Sequence, residues 1–295
     1  MEIDFLKYRK LFFLVSGVLV IGSIASLGVF GLNLGIDFTG GSILEINYQE
    51  TRLSNQEIND RLADLDLGDI LVQPTGEEGV ILRMKDISEE THQEILRRLG
   101  EGRELEEIRF EAIGPVIGEE VKEKTKIVIA LALISILFYI TFAFRGVSRP
   151  VKSWQYGIAT LLALFHDVLI PIGIFAVLGK FYSVEISVPI ITALLTVFGY
   201  SVNDTVVVFD RIRENLVKKN LPFEEAVNQS LNQSISRSVS TSLTTLFVLL
   251  AIFFFGGYTL RYFSLALILG IILGTYSSIC LAAPILVSWF KWKKP

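Results

Sequence analysis

The stretch LFFLVSGVLVIGSIASLGVFG, residues 11–31, carries no charge, and Lys7, Arg9 and Lys10 stand just before it. A helix needs about 20 mostly apolar residues to cross the hydrocarbon core, because every backbone group must be satisfied within the segment. The basic residues resemble the start of a cleavable signal. However, the apolar run exceeds the usual h-region of about 7–15 residues, and no convincing small-x-small cleavage site follows. The segment reads as a retained signal anchor.

Working outward, residues 127–144, 154–179, 186–209, 238–260 and 262–290 meet the same test. The last two are separated only by a short turn around Gly256, Gly257 and Arg261. Composition agrees, since 51% of the residues are hydrophobic and mean hydropathy is +0.53, too apolar for an ordinary soluble domain. The expected fold is a polytopic α-helical membrane protein with six transmembrane helices.

Several functions are excluded on the same residues. A net charge of −4 leaves no excess of cations to neutralise phosphates, which argues against nucleic-acid binding. Cys280 is the single cysteine, so no intrachain disulfide forms. His92 and His166, the only histidines, lie in no Cys/His/carboxylate cluster, so no metal site is expected. No G-x-x-x-x-G-K-[ST] phosphate loop occurs, so no nucleotide site and no cofactor are expected. The chain reads as a transporter component rather than an enzyme.

Orientation follows from basic residues beside the spans. One set of ends carries Lys7, Arg9, Lys10, Arg145, Arg149, Lys152, Arg211, Arg213, Lys218, Lys219, Arg237, Lys291, Lys293 and Lys294, whereas the opposite short loops carry only Lys180 and Arg261. Both termini are expected in the cytoplasm and residues 32–126 outside it. The domains are 1–34 (N-terminus and first span), 35–122 (an extracytoplasmic domain) and 123–295 (the remaining spans).

Residues 42–113 alternate strand and helix patterns. Leu44, Ile46 and Tyr48 alternate with Ile43, Glu45 and Asn47. Ser54-x-x-Glu57 is a capping-box signature opening a helix with Ile58, Leu62 and Leu65 on one face. Residues 70–73 and 80–84 flank Pro74-Thr75-Gly76-Glu77-Glu78-Gly79, a hairpin signal. Ser88-Glu89-Glu90 starts a second helix with Ile95 and Leu99 inward, and residues 105–113 alternate again. The order β-α-β-β-α-β is the ferredoxin-like arrangement. His92 reads as a surface helix residue, and nothing here resembles a catalytic constellation, so a binding or lever role is expected.

Ionisable residues inside the membrane are costly, by roughly 2.5–3.5 kcal/mol on insertion scales, and mark pathways or pairs. Asp204 lies six residues before Asp210, which starts the cytoplasmic side, so it sits roughly 9 Å deep. Tyr200 and Ser201 fall on its helix face. His166 and Asp167 lie about 12 residues into the third span, roughly 18 Å from its start. Arg237 opens the fifth span, with Thr241 and Thr244 on its face as a hydroxyl-rich stripe. Each has a packing alternative, namely hydrogen-bonded helix contacts or an interfacial cation. The functional reading is a titrating carboxyl at Asp204 with Arg237 as counter-charge and His166 and Asp167 as a second depth. Gly270-x-x-x-Gly274 allows close helix approach.

Three stretches carry a resemblance to a known family: Gly35-Ile36-Asp37-Phe38-Thr39-Gly40-Gly41; residues 199–215, GYSVNDTVVVFDRIREN; and Ser230-Leu231-Asn232-Gln233 leading to Arg237 and Thr241-Ser242-Leu243-Thr244-Thr245. With the six-span layout, the chain resembles the SecD/SecF family of protein-export membrane proteins, within the resistance–nodulation–division superfamily, and its Asn-Asp-Thr fourth span is similar to the SecF branch. The resemblance implies a bacterial cytoplasmic membrane, a SecD partner with another six spans, and association with the Sec translocon channel, unfolded preprotein and membrane lipids. It also implies a proton path matching Asp204 and Arg237, which uses the proton-motive force to pull chains outward after SecA has pushed them in. Asp37, Gly40 and Gly41 would be the joint between first span and insert. A small-solute or lipid exporter of the superfamily, and a non-conducting structural translocon subunit, are the alternative readings.

Overall fold

The computed structural model describes residues 3–145, 150–219 and 221–292. Arg149, Lys293 and Lys294, used above for orientation, lie outside the described residues. The elements in chain order are a 3-10 turn (Phe5–Tyr8), α1 (Arg9–Phe30), α2 (Ile36–Thr39), β1 (Gly41–Tyr48), α3 (Asn55–Leu62), β2 (Leu71–Thr75), β3 (Gly79–Met84) and α4 (Glu89–Leu99). There follow β4 (Leu105–Ile113), α5 (Pro115–Ala143), α6 (Ser153–Tyr182), α7 (Val188–Lys219), α8 (Phe223–Phe255), α9 (Tyr258–Ser277), a π turn (Ser278–Ala282) and α10 (Ala283–Trp292). They form two compact units, residues 1–33 with 128–295 and residues 34–127.

Six helical segments among the described residues are long and apolar enough to span a membrane: Phe5–Phe30, Pro115–Ala143, Ser153–Tyr182, Val188–Lys219, Phe223–Phe255 and Leu260–Trp292. The stretch 211–236, between the fourth and fifth apolar runs, is almost entirely helix, and only residues 220–222 separate α7 from α8. Hydropathy marks the apolar part of a helix; its ends are set by where the backbone stops bonding to itself. The extensions also bury a face, with Ile212 and Asn215 of α7 set against Phe223, Ala226, Val227, Ser230 and Leu231 of α8. Asn215 Nδ2 donates to Ser230 Oγ at 2.8 Å and to Gln233 Oε1 at 3.1 Å, tying the two helices together.

Small residues bring the helices close. A Cβ on Gly173 of α6 would lie 2.5 Å from Ser23 Cβ of α1. A Cβ on Gly270 would collide with Val197, and one on Gly274 would lie 3.0 Å from Ser201 Cβ. The Gly270-x-x-x-Gly274 pair thus sets α9 against α7, where direct packing holds helices together in an apolar solvent.

In the second unit, β1 pairs antiparallel with β3 and β4, and β2 with β3, giving the sheet order β2-β3-β1-β4. Leu44, Ile46, Tyr48, Val80, Leu82 and Met84 form one buried cluster with Ile58, Leu62, Ile95 and Leu99 of the two helices. The capping box is made: Ser54 Oγ accepts from Glu57 N at 3.2 Å, and Ser54 N donates to Glu57 Oε2 at 2.8 Å. The hairpin turn is shorter than predicted, because Pro74 and Thr75 pair with Val80 and Gly79 and leave only residues 76–78 in the loop. β2 is an edge strand, where a proline costs no ladder bond.

His92 is not a surface residue. It is 3% exposed, and its ring stacks on Phe110 with centroids 3.8 Å apart and planes within 4°. Its Nδ1 is 3.2 Å from Glu89 Oε1 and its Nε2 3.4 Å from Glu107 Oε2. The signal was present in the spacing, since His92, Ile95 and Leu99 stand at i, i+3 and i+7 on one helix face.

On the solvent side of α4, Arg97 and then Arg98 hydrogen-bond Glu94 and hold its carboxyl down from the ordinary 4.5 to about 2, while Arg98 also pairs with Asp64 beyond α3. A carboxyl depressed in the folded state stabilises the fold above its unfolded pKa, and that contribution is lost as pH falls through the folded value. Amide-exchange protection of α4 in the full chain should therefore be flat from neutral pH to about 4.5 and decline between there and about 2. Arg98→Met should weaken protection at neutral pH and flatten that acid step; an unchanged pH profile would show that the pair adds nothing.

Candidate functional site

Asp204 is 4% exposed on α7, and among the described residues its Oδ2 has no hydrogen-bond partner. An unsatisfied buried carboxylate is expensive, so its persistence needs a reason beyond packing. α8 faces it with Ser238, 1% exposed, whose Oγ makes no hydrogen bond within 3.5 Å among the described residues but lies near enough to favour the carboxylate, and with Arg237, which acts on it electrostatically. Thr205 Oγ1, fully buried beside it, is a third unpartnered polar atom.

Arg237 does not open α8. It lies well inside α8, 14 residues from Phe223, as Asp204 lies 15 residues from Lys219 on the antiparallel α7. Both are thus roughly 21 Å from the α7–α8 connection. No ion pair within 4 Å joins them; Arg237 is exposed and lines a cavity of about 100 Å³ with Val207, Asp210, Glu214 and Ser234. A wider cavity of about 390 Å³ shares Arg211, Glu214 and Gln233 with it and includes Lys218 and Lys219. Val207 is one turn from Asp204, so the smaller cavity comes to within a turn of the buried carboxyl along α7.

Asp167 is in the opposite condition. It is fully buried on α6, and its Oδ2 accepts from Ser201 Oγ of α7 and Ser277 Oγ of α9, each at 2.6 Å. Its Oδ1 is 2.9 Å from His166 Nδ1. His166 stacks near Tyr276, 5.9 Å between centroids, and Tyr276 OH donates to Phe12 O of α1 at 3.1 Å. Three helices, α6, α7 and α9, therefore meet at this carboxylate, and Tyr276 links the cluster to α1; the π turn begins right after Ser277. Ser201, expected on the Asp204 face, is committed to Asp167 instead; along α7 it is about 4.5 Å farther from the helix connection. Sequence reasoning missed Ser277 and Tyr276, because single hydroxyls in an apolar run read as packing residues.

The hydroxyl stripe is also placed differently. Thr241 and Thr244 are exposed and return their hydroxyls to carbonyls of their own helix. The buried stripe is Ser230, Ser234, Ser238 and Ser242, at strict i+4 spacing, with Ser242 receiving Tyr200 OH at 3.4 Å and meeting Thr275 Oγ1 at 2.5 Å.

Asp37 lies in the short helix α2, Gly40 ends it with φ +74°, and Gly41 opens β1 with φ +130°. A Cβ on Gly40 would lie 2.6 Å from Pro115 Cα, and one on Gly118 2.8 Å from Gly40 N. The strands of chain that enter and leave the insert are thus clamped backbone to backbone.

Six apolar helices, an α/β insert after the first and buried carboxylates facing neighbouring helices define a multi-pass membrane protein of the transport class. The SecD/SecF C-terminal family model of protein export membrane proteins matches residues 91–292, and the SecD/SecF GG motif matches residues 25–51. The chain is 43% identical to a protein translocase subunit SecF from Thermobaculum terrenum, over 97% of this chain and 94% of that one. It is 38% identical to a SecF from Anaerolinea thermophila over the same shares. The crystal structure of SecDF from Thermus thermophilus matches with a TM-score of 0.85 and 34% identity over 98% of this chain, which spans 39% of the SecDF chain. SecDF in its super-membrane-facing form matches with a TM-score of 0.71 at 33% identity. The chain belongs to the SecD/SecF family and is similar to SecF subunits of the protein translocase, in the bacterial cell membrane.

Proposed function

We propose that the chain works with a SecD-type partner to promote late export of unfolded preprotein, driven by the proton-motive force, with both termini in the cytoplasm and the insert outside. The observation that carries this is Asp204: a buried carboxyl with an unpartnered oxygen, within one helical turn of a polar cavity. Moving one elementary charge through the membrane potential releases roughly 2.3 kcal/mol per 100 mV, and a carboxyl uses this only by changing charge. Protonation removes the attraction of Asp204 for Arg237 and lets α7 and α8 shift, the local charge change biasing a two-state element. Water reaches Asp204 past Glu214, Gln233 and Arg237, and the Asp167 node anchors α6, α7 and α9 while that shift occurs. The clamp at Gly40 makes the two connections of the insert move as one.

Solved SecDF is a translocon-associated membrane protein by its own description, which supports the same association here. The test is depletion of the chain from cells. Preprotein should stall late, with ATP supply intact, and a SecD-type chain should co-purify with the protein. Normal export with a defect in small-solute or lipid efflux would overturn this reading in favour of an exporter. Normal proton dependence of export after depletion would favour a non-conducting structural subunit.

A further inference from the structure

The ends of α1, α8 and α10 enclose a cavity of about 580 Å³ lined by Lys7, Arg9, Lys10 and Lys291 together with Asp4, Glu224, Glu225 and Asn228. Glu224 is paired with Lys291 at 2.7 Å, whereas Asp4 Oδ1 accepts only from the backbone Lys7 N at 3.1 Å and keeps its charge. Among the described residues none of Lys7, Arg9 and Lys10 has an ion-pair partner within 4 Å, and these three cations outnumber the two remaining carboxylates, Asp4 and Glu225.

An apolar groove of about 490 Å³ lies along the same two helices, lined by Phe13 of α1 and by Ile285, Trp289 and Trp292 of α10. Lys10 and Phe13 stand at i and i+3, so the basic cavity and the apolar groove share one face of α1. Trp289 meets Trp154 edge-on at 5.0 Å, and Trp292 is 85% exposed. Tryptophans at helix ends mark the headgroup level of a bilayer.

We propose that this is a binding site for one anionic phospholipid, its phosphate held by Lys7, Arg9 and Lys10 and one acyl chain lying along Phe13, Ile285 and Trp292. Charge selects the headgroup, and the apolar groove beside it takes the chain. Basic pockets between helix ends take anionic headgroups in this way. The site is separate from the Asp204 region and does not depend on proton coupling.

The test uses the detergent-purified full chain, with native mass spectrometry and thermal unfolding on addition of phosphatidylglycerol, phosphatidylcholine or inorganic phosphate. Phosphatidylglycerol should bind at least tenfold more tightly than phosphatidylcholine. The Lys7→Gln/Lys10→Gln double variant should lose about tenfold or more in phosphatidylglycerol affinity with phosphatidylcholine unchanged. Trp292→Ala should weaken both lipids alike. Equal binding of the two lipids, an unaffected double variant, or equal protection by inorganic phosphate alone would each overturn the proposal.

Discussion

Asp204→Asn should abolish the proton-driven part of export while leaving the fold as stable as before or slightly more so. Asparagine has nearly the same shape but does not change charge, so the roughly 2.3 kcal/mol available per proton per 100 mV is lost entirely. Stability should change little, because Asp204 Oδ2 makes no close hydrogen bond that the amide could break, and what the charge loses in attraction to Arg237 and Ser238 is offset by removing the cost of burying it. Asp167→Asn provides the contrast. Its Oδ2 accepts from two serines and its Oδ1 lies beside His166. An amide nitrogen turned toward Ser201 and Ser277 removes the acceptor that both hydroxyls share, at about 1–3 kcal/mol, and one turned toward His166 is satisfied only when Nδ1 is the unprotonated ring nitrogen. The measurement is proton flux and preprotein transport in vesicles reconstituted with the chain, its SecD-type partner and the translocon, beside thermal unfolding of each variant. Normal proton flux with Asp204→Asn would sink the coupling role. Loss of stability in that variant, with flux lost in proportion, would reduce Asp204 to a packing residue.

Gly40→Ala should destabilise the insert by roughly 2–5 kcal/mol, enough to unfold a domain with so small a core. Two costs add. A side chain at φ +74° is strained, and the new Cβ would lie 2.6 Å from Pro115 Cα and 2.8 Å from Pro115 N, which are backbone atoms with little room to yield. Gly76→Ala separates the two costs: its φ is +68°, but nothing lies within 4 Å of its Cβ, so only the conformational penalty of about 1 kcal/mol remains. Limited proteolysis of the full chain and exchange protection of β1 and β4 should report the large effect at Gly40 and a small one at Gly76. Similar behaviour of both variants would remove the clamp from the account. At both Gly40 and Gly41 the positive φ and the neighbouring backbone leave no room for a side chain.

The bilayer imposes its demand locally, one helix at a time, and for that reason the six apolar runs were legible without any partner being known. The same holds for the Ser54–Glu57 capping box, which closes within four residues, and for the turn at Gly256 and Gly257. Asp204 stood out because a carboxyl in an apolar run is a local anomaly. Whatever depended on a second element was hidden. His92 became a core residue only because Phe110 of β4 lies against it. Residues 211–236 became helix because α7 and α8 bury their polar extensions on each other, a gain that hydropathy does not register.

The sequence by itself determined that this chain crosses a membrane six times, carries one α/β insert after the first crossing, and keeps ionisable groups inside. Only the tertiary structure decided what those groups do to each other. It left Asp204 with an open oxygen beside a polar cavity, committed Asp167 to Ser201 and Ser277, and turned Arg237 to the cavity wall. The reason is physical: apolar length is a property of consecutive residues, but the state of a buried carboxyl is set by donors that neighbouring helices bring from far along the chain.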